Sequence, residues 1–404
     1  MTIGSIKLTR RAALLGLTAS WTLAGRSSLA LANADTDRRF VVVILRGALD
    51  GMQAVVPYGD RNLASWRAEL IPPPPGAEGG LLDLGGFYGM HPALDGLHAM
   101  YAAGELLPVH AVAGAYRSRS HFEAQDYMEM GSDQRMTSGW LNRAVGVLPA
   151  AEAGHSPGGP ALAVGLSVPL LLRGPSTVGS WAPQSFGKPN PDLYLRLAAL
   201  NASDAVTGPA FAEGLKERGF TAETLADAAA PATPRDKNGF PALAGAAGQM
   251  LAAADGPRIA ALEVGGWDTH SGQMARLGGP LKQLNDGMVA LRVGLGAAWR
   301  QTAVLVMTEF GRTVRVNGTK GTDHGTGTVA FVLGGAVAGG QVRANWPGLE
   351  QANLFENRDL QPTADLRSVA KGLLAQHLRL GDRALAAVFP GSEAAGPMAG
   401  LIRA

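Results

Sequence analysis

Five polar stretches of this chain hold the side chains that could do chemistry, and each sits beside a run of apolar residues. Arg46-Gly47-Ala48-Leu49-Asp50-Gly51 follows Phe40–Leu45, and Arg117-Ser118-Arg119-Ser120-His121 follows Leu107–Ala113. Gly265-Gly266-Trp267-Asp268-Thr269-His270 follows Arg258–Val264, and Glu309-Phe310-Gly311-Arg312 follows Thr302–Thr308. Thr322-Asp323-His324-Gly325 stands just before Val329–Leu333. Together they supply carboxylates, imidazoles and a hydroxyl. Carboxylate with imidazole is the mixed oxygen and nitrogen set that suits Zn²⁺ or Mn²⁺, in sites of one or two ions.

Each residue also has a purely structural reading. Asp50-Gly51 fits a plain turn. Ser120 with Glu123 forms S-x-x-E, a capping box, and capping is compatible with nucleophilic work because a helix N-terminus stabilises negative charge. Asp268-Thr269-His270, after a strand and two glycines, is the hardest to explain by structure alone. Glu309 directly follows an apolar run, where an ionised side chain needs a partner or a metal. His324 fits a loop as well as a ligand. His98, His110, His155 and His377 read as structural, and His91 is a weaker site candidate.

Two formal motifs fail on context. Gly154-His155-Ser156-Pro157-Gly158 fits G-x-S-x-G, which would make Ser156 a hydrolase nucleophile, but no strand precedes it and no helix follows. Gly325-Thr326-Gly327-Thr328-Val329-Ala330 fits the dinucleotide pattern but leads into a strand, the wrong order. There is no Walker motif.

The elements that must position these residues alternate. Phe40–Leu45, Leu107–Ala113, Arg258–Val264, Thr302–Thr308 and Val329–Leu333 read as strands buried on both faces. Pro92–Ala103, His121–Met130, Gly272–Trp299 and Ala364–Leu378 read as helices. That alternation predicts an α/β domain with a largely parallel sheet, whose ligands bind beyond the carboxyl ends of the strands. Residues 145–257 are Ala-, Gly- and Pro-rich and read as a cap or insertion.

Charge narrows the function classes. Residues 1–34 contain Lys7, Arg10, Arg11 and Arg26 and no acidic residue, so the 370 that follow carry 31 basic against 33 acidic residues. A body at −2 lacks the concentrated basic surface of a nucleic-acid binder. Thr9-Arg10-Arg11, an apolar run from Ala12 to Ala24, and Ala32-Asn33-Ala34 follow the plan of a twin-arginine signal peptide. The expected partner in transit is the twin-arginine translocase, and the expected location is periplasmic or secreted. The run is too short for a stable membrane span, which needs about 20 residues. Arg10→Lys combined with Arg11→Lys is expected to hold the precursor in the cytoplasm, and unimpaired export in a fractionation assay would refute that route. Absence of Cys suits an oxidising compartment.

Taken in order, ILRGALDGMQAVVPYGD, HPAL, YRSRSHFEAQDYMEMG, GWLNRA, GGWDTH, TEFGRTVRVNG, GTDHGTG and PTADLRSVAKGLL resemble the domain of unknown function 1501 family, bacterial proteins exported by the twin-arginine route. That family is grouped with the alkaline-phosphatase-like superfamily of phosphatases, phosphodiesterases, sulfatases and cofactor-independent phosphoglycerate mutases. The resemblance implies a three-layer sandwich, a central mostly parallel sheet with helices on both faces, and one or two divalent metals. It implies Asp50, Asp268, His270, Glu309 and His324 as metal ligands and Ser120 as nucleophile. Phe310 stands where the superfamily has a His, and Asp268-x-His270 is tighter than the usual spacing, so a one-metal site or a rearranged pair is expected as readily as two metals. Formylglycine chemistry does not fit, for want of Cys and of the Pro and Arg context around Ser120.

The resulting expectation is an exported metal-dependent hydrolase of a small phosphate or sulfate ester, with Arg117 or Arg119 clamping the non-bridging oxygens. The competing expectation is a non-catalytic periplasmic binding or assembly protein with a degenerate site.

Overall fold

The computed structural model describes residues 37–148, 159–183 and 239–403. The signal-peptide reading, Ser156 and most of the expected cap lie outside the described residues. The main sheet has eight strands, numbered here in chain order: β1 Arg39–Arg46, β2 Leu106–Ala113, β3 Ala161–Val164, β4 Gly179–Trp181, β5 Ile259–Gly265, β6 Thr302–Thr308, β7 Thr328–Leu333 and β8 Ala364–Asp365. Their order across the sheet is β8-β2-β7-β6-β1-β5-β3-β4. All pairs are parallel except those made by β7, which is antiparallel to β2 and β6.

The sequence of β1 explains its place. Val41, Val43 and Leu45 enter one core and Phe40, Val42 and Ile44 the other. A strand with period-two side chains can be apolar throughout only if both faces are covered. On the first face lie α1 (Asp95–Ala102), α4 (Phe240–Ala252) and α5 (Gly278–Leu295). In α5, Leu281, Leu284, Met288, Leu291 and Leu295 are buried, the three-four spacing of one helical stripe. On the second face lie α2 (His121–Met130), α3 (Trp140–Gly146), α6 (Leu366–Gln376) and α7 (Asp382–Val388). The fold is a three-layer α/β sandwich, as the alternation of elements predicts. Part of the segment expected as a cap belongs to this core, since β3 and β4 extend the sheet and α4 packs on α5. Its strands are too short, and too diluted by Gly and Pro, to show as apolar runs.

The direction of the strands brings the five polar stretches to one edge. β1, β2, β5 and β6 end there, and the reversed β7 begins there. No helix among the described residues is long and apolar enough to cross a membrane.

His110 and His377 are structural, and both are neutral in the fold. On β2, the His110 ring accepts from the Ala111 N–H at 2.8 Å and its Nε2 donates to the Val55 carbonyl at 2.9 Å. His377 donates to the Arg39 carbonyl at 2.8 Å. Burial pushes each pKa down to about 4, against an ordinary value near 6.5. Below pH 6.5 the unfolded chain therefore binds more protons, and stability present above that pH is lost as it falls toward 4. Each ring contributes up to roughly 3 kcal/mol to that loss. Urea midpoints measured between pH 7 and 5 should fall, less steeply in His377→Gln; a flat profile would refute this origin.

Candidate metal centre

Three elements bring imidazoles together. His121 opens α2, Asp268 and His270 lie in the loop after β5, and His324 lies just before β7. The Nε2 atoms of His121 and His324 are 2.9 Å apart, and Asp268 Oδ1 lies 3.6 Å from the first and 3.3 Å from the second. His121, Asp268 and His324 thus form a set that could hold a metal ion. His270 Nε2 joins its rim, 3.0 Å from both His324 Nε2 and Asp268 Oδ1. Donor atoms of a tetrahedral zinc with bonds of about 2.0–2.1 Å are about 3.3 Å apart, so the spacing fits a small divalent cation.

Each imidazole is held from behind. His121 Nδ1 lies 2.8 Å from Glu309 Oε1, His324 Nδ1 lies 2.9 Å from the Arg119 carbonyl, and His270 Nδ1 lies 3.3 Å from Asp323 Oδ1. With Nδ1–H donating outward, each Nε2 lone pair points at the shared centre. Acceptors crowded this closely repel unless a cation lies among them. Glu309 is fixed in turn: Gly47 N–H and Gln125 Nε2 donate to its Oε1 at 2.9 and 3.0 Å, and Thr308 Oγ1 donates to its Oε2 at 2.8 Å. Its hydrogen bond raises the His121 pKa. Burial works to raise the Asp268 pKa, but the hydrogen bond and charge of Arg312 outweigh it and hold the carboxyl below its ordinary value.

Arg312 ties the loops to one another. Fully buried, it donates from Nε to the Ala48 carbonyl at 2.8 Å and from Nη1 to the Thr322 carbonyl at 3.2 Å. Its Nη2 reaches Gly47 O at 2.6 Å, Trp267 O at 3.2 Å and Asp268 Oδ1 at 2.5 Å. One guanidinium therefore joins the loops after β1 and β5 to the approach to β7. It holds Ala48 in a left-handed conformation (φ 63°), which a non-glycine residue adopts at a cost. Glycine makes the approach possible at Gly321 and Gly325, where a Cβ would collide with the His270 and Arg312 backbones.

Asp268 and His270 are about half exposed, so the centre opens to solvent. Of the residues expected from sequence, Asp268, His270 and His324 come together here. Glu309 stands behind His121 rather than in the cluster, because its oxygens are taken by four donors. Asp50 lies outside as well: fully buried, it accepts from Arg67 Nη1 at 3.0 Å and from Gln273 Nε2 at 2.7 Å, and it caps the Gly51–Ala54 turn. Ser120 precedes His121 and its side chain makes no capping bond, so the capping box does not form; Glu123 pairs with Tyr116 and Arg135 instead. Arg119 is taken by Asp359 and Glu356, at 2.8 and 2.5 Å. Arg117 is exposed, with the Gly114 carbonyl as its hydrogen-bond partner. His91 caps a short 3-10 turn through its Nδ1. Phe310 is buried against the rings of His121 and His324, at 4.9 and 5.1 Å.

Sequence reasoning missed His121, although its position was in view as the first residue of a helix beyond a strand end. The available signal was His121 and Gln125 one turn apart, which puts both on the face that meets Glu309.

The family described as Protein of unknown function (DUF1501) matches residues 107–389. No curated protein and no solved structure matches the chain.

Proposed function

The chain belongs to the DUF1501 family, proteins of unknown function; its reaction must therefore be read from the centre itself, and we propose that it is an exported metal-dependent hydrolase of a phosphate or sulfate ester. The observation that carries this reading is the convergence of His121, His324 and Asp268 on one point, each imidazole fixed from behind. A divalent cation held there, zinc or manganese by its donor set, supplies Lewis acidity to an ester oxygen. Ser120, beside His121 at the start of α2 and free of a capping bond, offers the hydroxyl that attacks the phosphorus or sulfur: a seryl ester forms as the alcohol leaves and takes up the proton, and water then hydrolyses the seryl ester. Among the described residues Arg117 makes no hydrogen bond to a carboxylate, and it is the guanidinium of this stretch that we assign to the non-bridging oxygens. Arg119 is spent on Asp359 and Glu356; it positions the loop whose carbonyl holds His324. Export by the twin-arginine route places this chemistry in the periplasm or outside the cell.

The test is metal analysis of purified protein with assays on 4-nitrophenyl phosphate and 4-nitrophenyl sulfate. Ser120→Ala is expected to lose at least about 100-fold in turnover while keeping the metal. No bound metal together with no turnover of either ester would end the proposal. Phe310 favours the second reading, a non-catalytic binding protein, because it fills with a ring the place where the resemblance leads one to expect a ligand. Bound metal without turnover of any ester is the outcome that selects it.

A further inference from the structure

We propose that Gln273 is a positioning residue of the metal centre: its amide oxygen sets the separation of the two loops that carry Asp268, His270 and His324, and with it the size of cation the centre prefers. The proposal rests on the reading of that centre as a cation site. Gln273 opens the short helix Gln273–Arg276 and is fully buried. Its Oε1 accepts from the Thr269 hydroxyl at 2.9 Å and from the Thr322 hydroxyl at 2.6 Å. Thr269 stands between Asp268 and His270, and Thr322 lies two residues before His324. The Thr322 N–H also donates to the Thr269 carbonyl, at 3.3 Å. One buried atom therefore joins the loop after β5 to the approach to β7 beside the donor set.

Such a contact fixes a distance. A hydrogen bond tolerates a narrow range of lengths, and threonine is stiff at χ1, so a held hydroxyl holds the backbone that carries it. Both lone pairs of Oε1 are in use. The amide is itself oriented from its other end: Nε2 donates to Asp50 Oδ2 at 2.7 Å, and turning the amide over would set its oxygen against a carboxylate. Asp50 is held by Arg67, whose Nε and Nη2 donate to the Val314 and Thr313 carbonyls at 3.0 and 2.7 Å. An asparagine at 50 still offers an oxygen to Gln273 Nε2, so the clamp does not depend on the charge there. The backbone repeats the tie, since the N–H groups of Gly272 and Gln273 donate to the Thr319 and Lys320 carbonyls, both at 2.9 Å.

Arg312 joins the same loops, but it also gives Asp268 its charge partner, so its removal alters charge and spacing together. Gln273 is uncharged, and its side-chain hydrogen bonds go to Thr269, Thr322 and Asp50 rather than to a metal-facing atom. Its removal alters spacing without altering charge. Asp268 Oδ1 and His324 Nε2 are 3.3 Å apart, and His270 Nε2 is 3.0 Å from each. Two buried hydroxyls left without their acceptor regain partners only by moving, and loops that move apart make a wider donor set. Selectivity among ions of one charge depends on cavity size and rigidity, and the shared acceptor sets both.

The test measures zinc and cadmium affinities by chelator competition, with thermal melts to show that each variant is folded. In Gln273→Met, which keeps the length and removes the acceptor, zinc is expected to weaken by about 10–100-fold, the usual cost of losing support behind a ligand. Cadmium, the larger ion, should weaken less, so that the zinc-to-cadmium affinity ratio falls by at least about fivefold. Thr322→Val should shift the ratio the same way, and Thr322→Ser, which keeps the hydroxyl, should hold it at the wild-type value. Equal losses for both ions in Gln273→Met would mean a role in the fold alone and would overturn the proposal, as would wild-type affinity for both. If Gln273→Met does not fold, the valine and serine variants decide, and the same ratio in the two would overturn it. Wild-type protein that binds neither ion would instead end the reading of the centre as a cation site, and this proposal with it.

Discussion

On the proposed reading of the centre as a cation site, His121→Ala is expected to abolish binding of a divalent cation, tested with zinc, while leaving the fold intact. His121 supplies one of the three donor atoms and begins a helix held to the sheet by other residues, among them Met128. Loss of a partner behind a ligand costs about 10–100-fold in metal affinity, and loss of the ligand itself should cost more. Three variants therefore form a graded series. Glu309→Gln, which weakens the support behind His121, should fall by about 10–100-fold. Asp50→Asn should keep wild-type zinc affinity but lose stability, because Arg67 is then buried without its charge partner. The measurement is zinc affinity by competition with a chromophoric chelator, alongside thermal melts. Wild-type zinc affinity in His121→Ala would show that the convergence of imidazoles is not a metal site. Loss of zinc in a folded Asp50→Asn would restore the sequence-based assignment of that residue.

That series also marks how far the sequence could be read. The sheet was legible because strands covered on both faces are mostly apolar runs, as β1, β2, β5, β6 and the reversed β7 are. β3, β4 and β8 were not, since a strand of two to four residues has too little pattern to stand above its surroundings. The proximity of Asp268, His270 and His324 was legible because the strands beside them deliver polar residues to one edge of the sheet. Asp50 and Glu309 were read as ligands for the same reason, but their tasks are set by partners from far along the chain. Arg67 and Gln273 claim Asp50, and His121, Gln125 and Gly47 claim Glu309. Nothing local in the sequence marks those long-range pairings. Arg312 was visible as a cation beside a strand end, but not as a fully buried one.

Arg312→Met is expected to be the most destabilising substitution at the site. The side chain is inaccessible to solvent, and it donates to four backbone carbonyls and to Asp268. Methionine has a similar length but no donors, so those carbonyls lose their partners and Asp268 its charge. Each buried carbonyl left without a donor costs about 1–3 kcal/mol, and the loss of charge pairing adds less, since Asp268 is about half exposed and screened by solvent. Arg312→Lys should recover little, because one ammonium cannot reach along three directions as a planar fork does. Urea unfolding with the slope checked against wild type gives the number. A lysine variant as stable as wild type would mean that the loops hold themselves together without this hub.

The reversal of β7 has a consequence for how this centre could change. A parallel successor to β6 would need a helical crossover to the far end of the sheet. With β7 running back, residues 309–327 leave and return on the same edge as a single excursion. That excursion carries Glu309, Phe310, Arg312, Asp323 and His324, so support, wall, hub and ligand are encoded in one contiguous cassette. Exchange of that cassette would rewrite much of the centre's chemistry in one step, while both hydrophobic cores kept the side chains they already have.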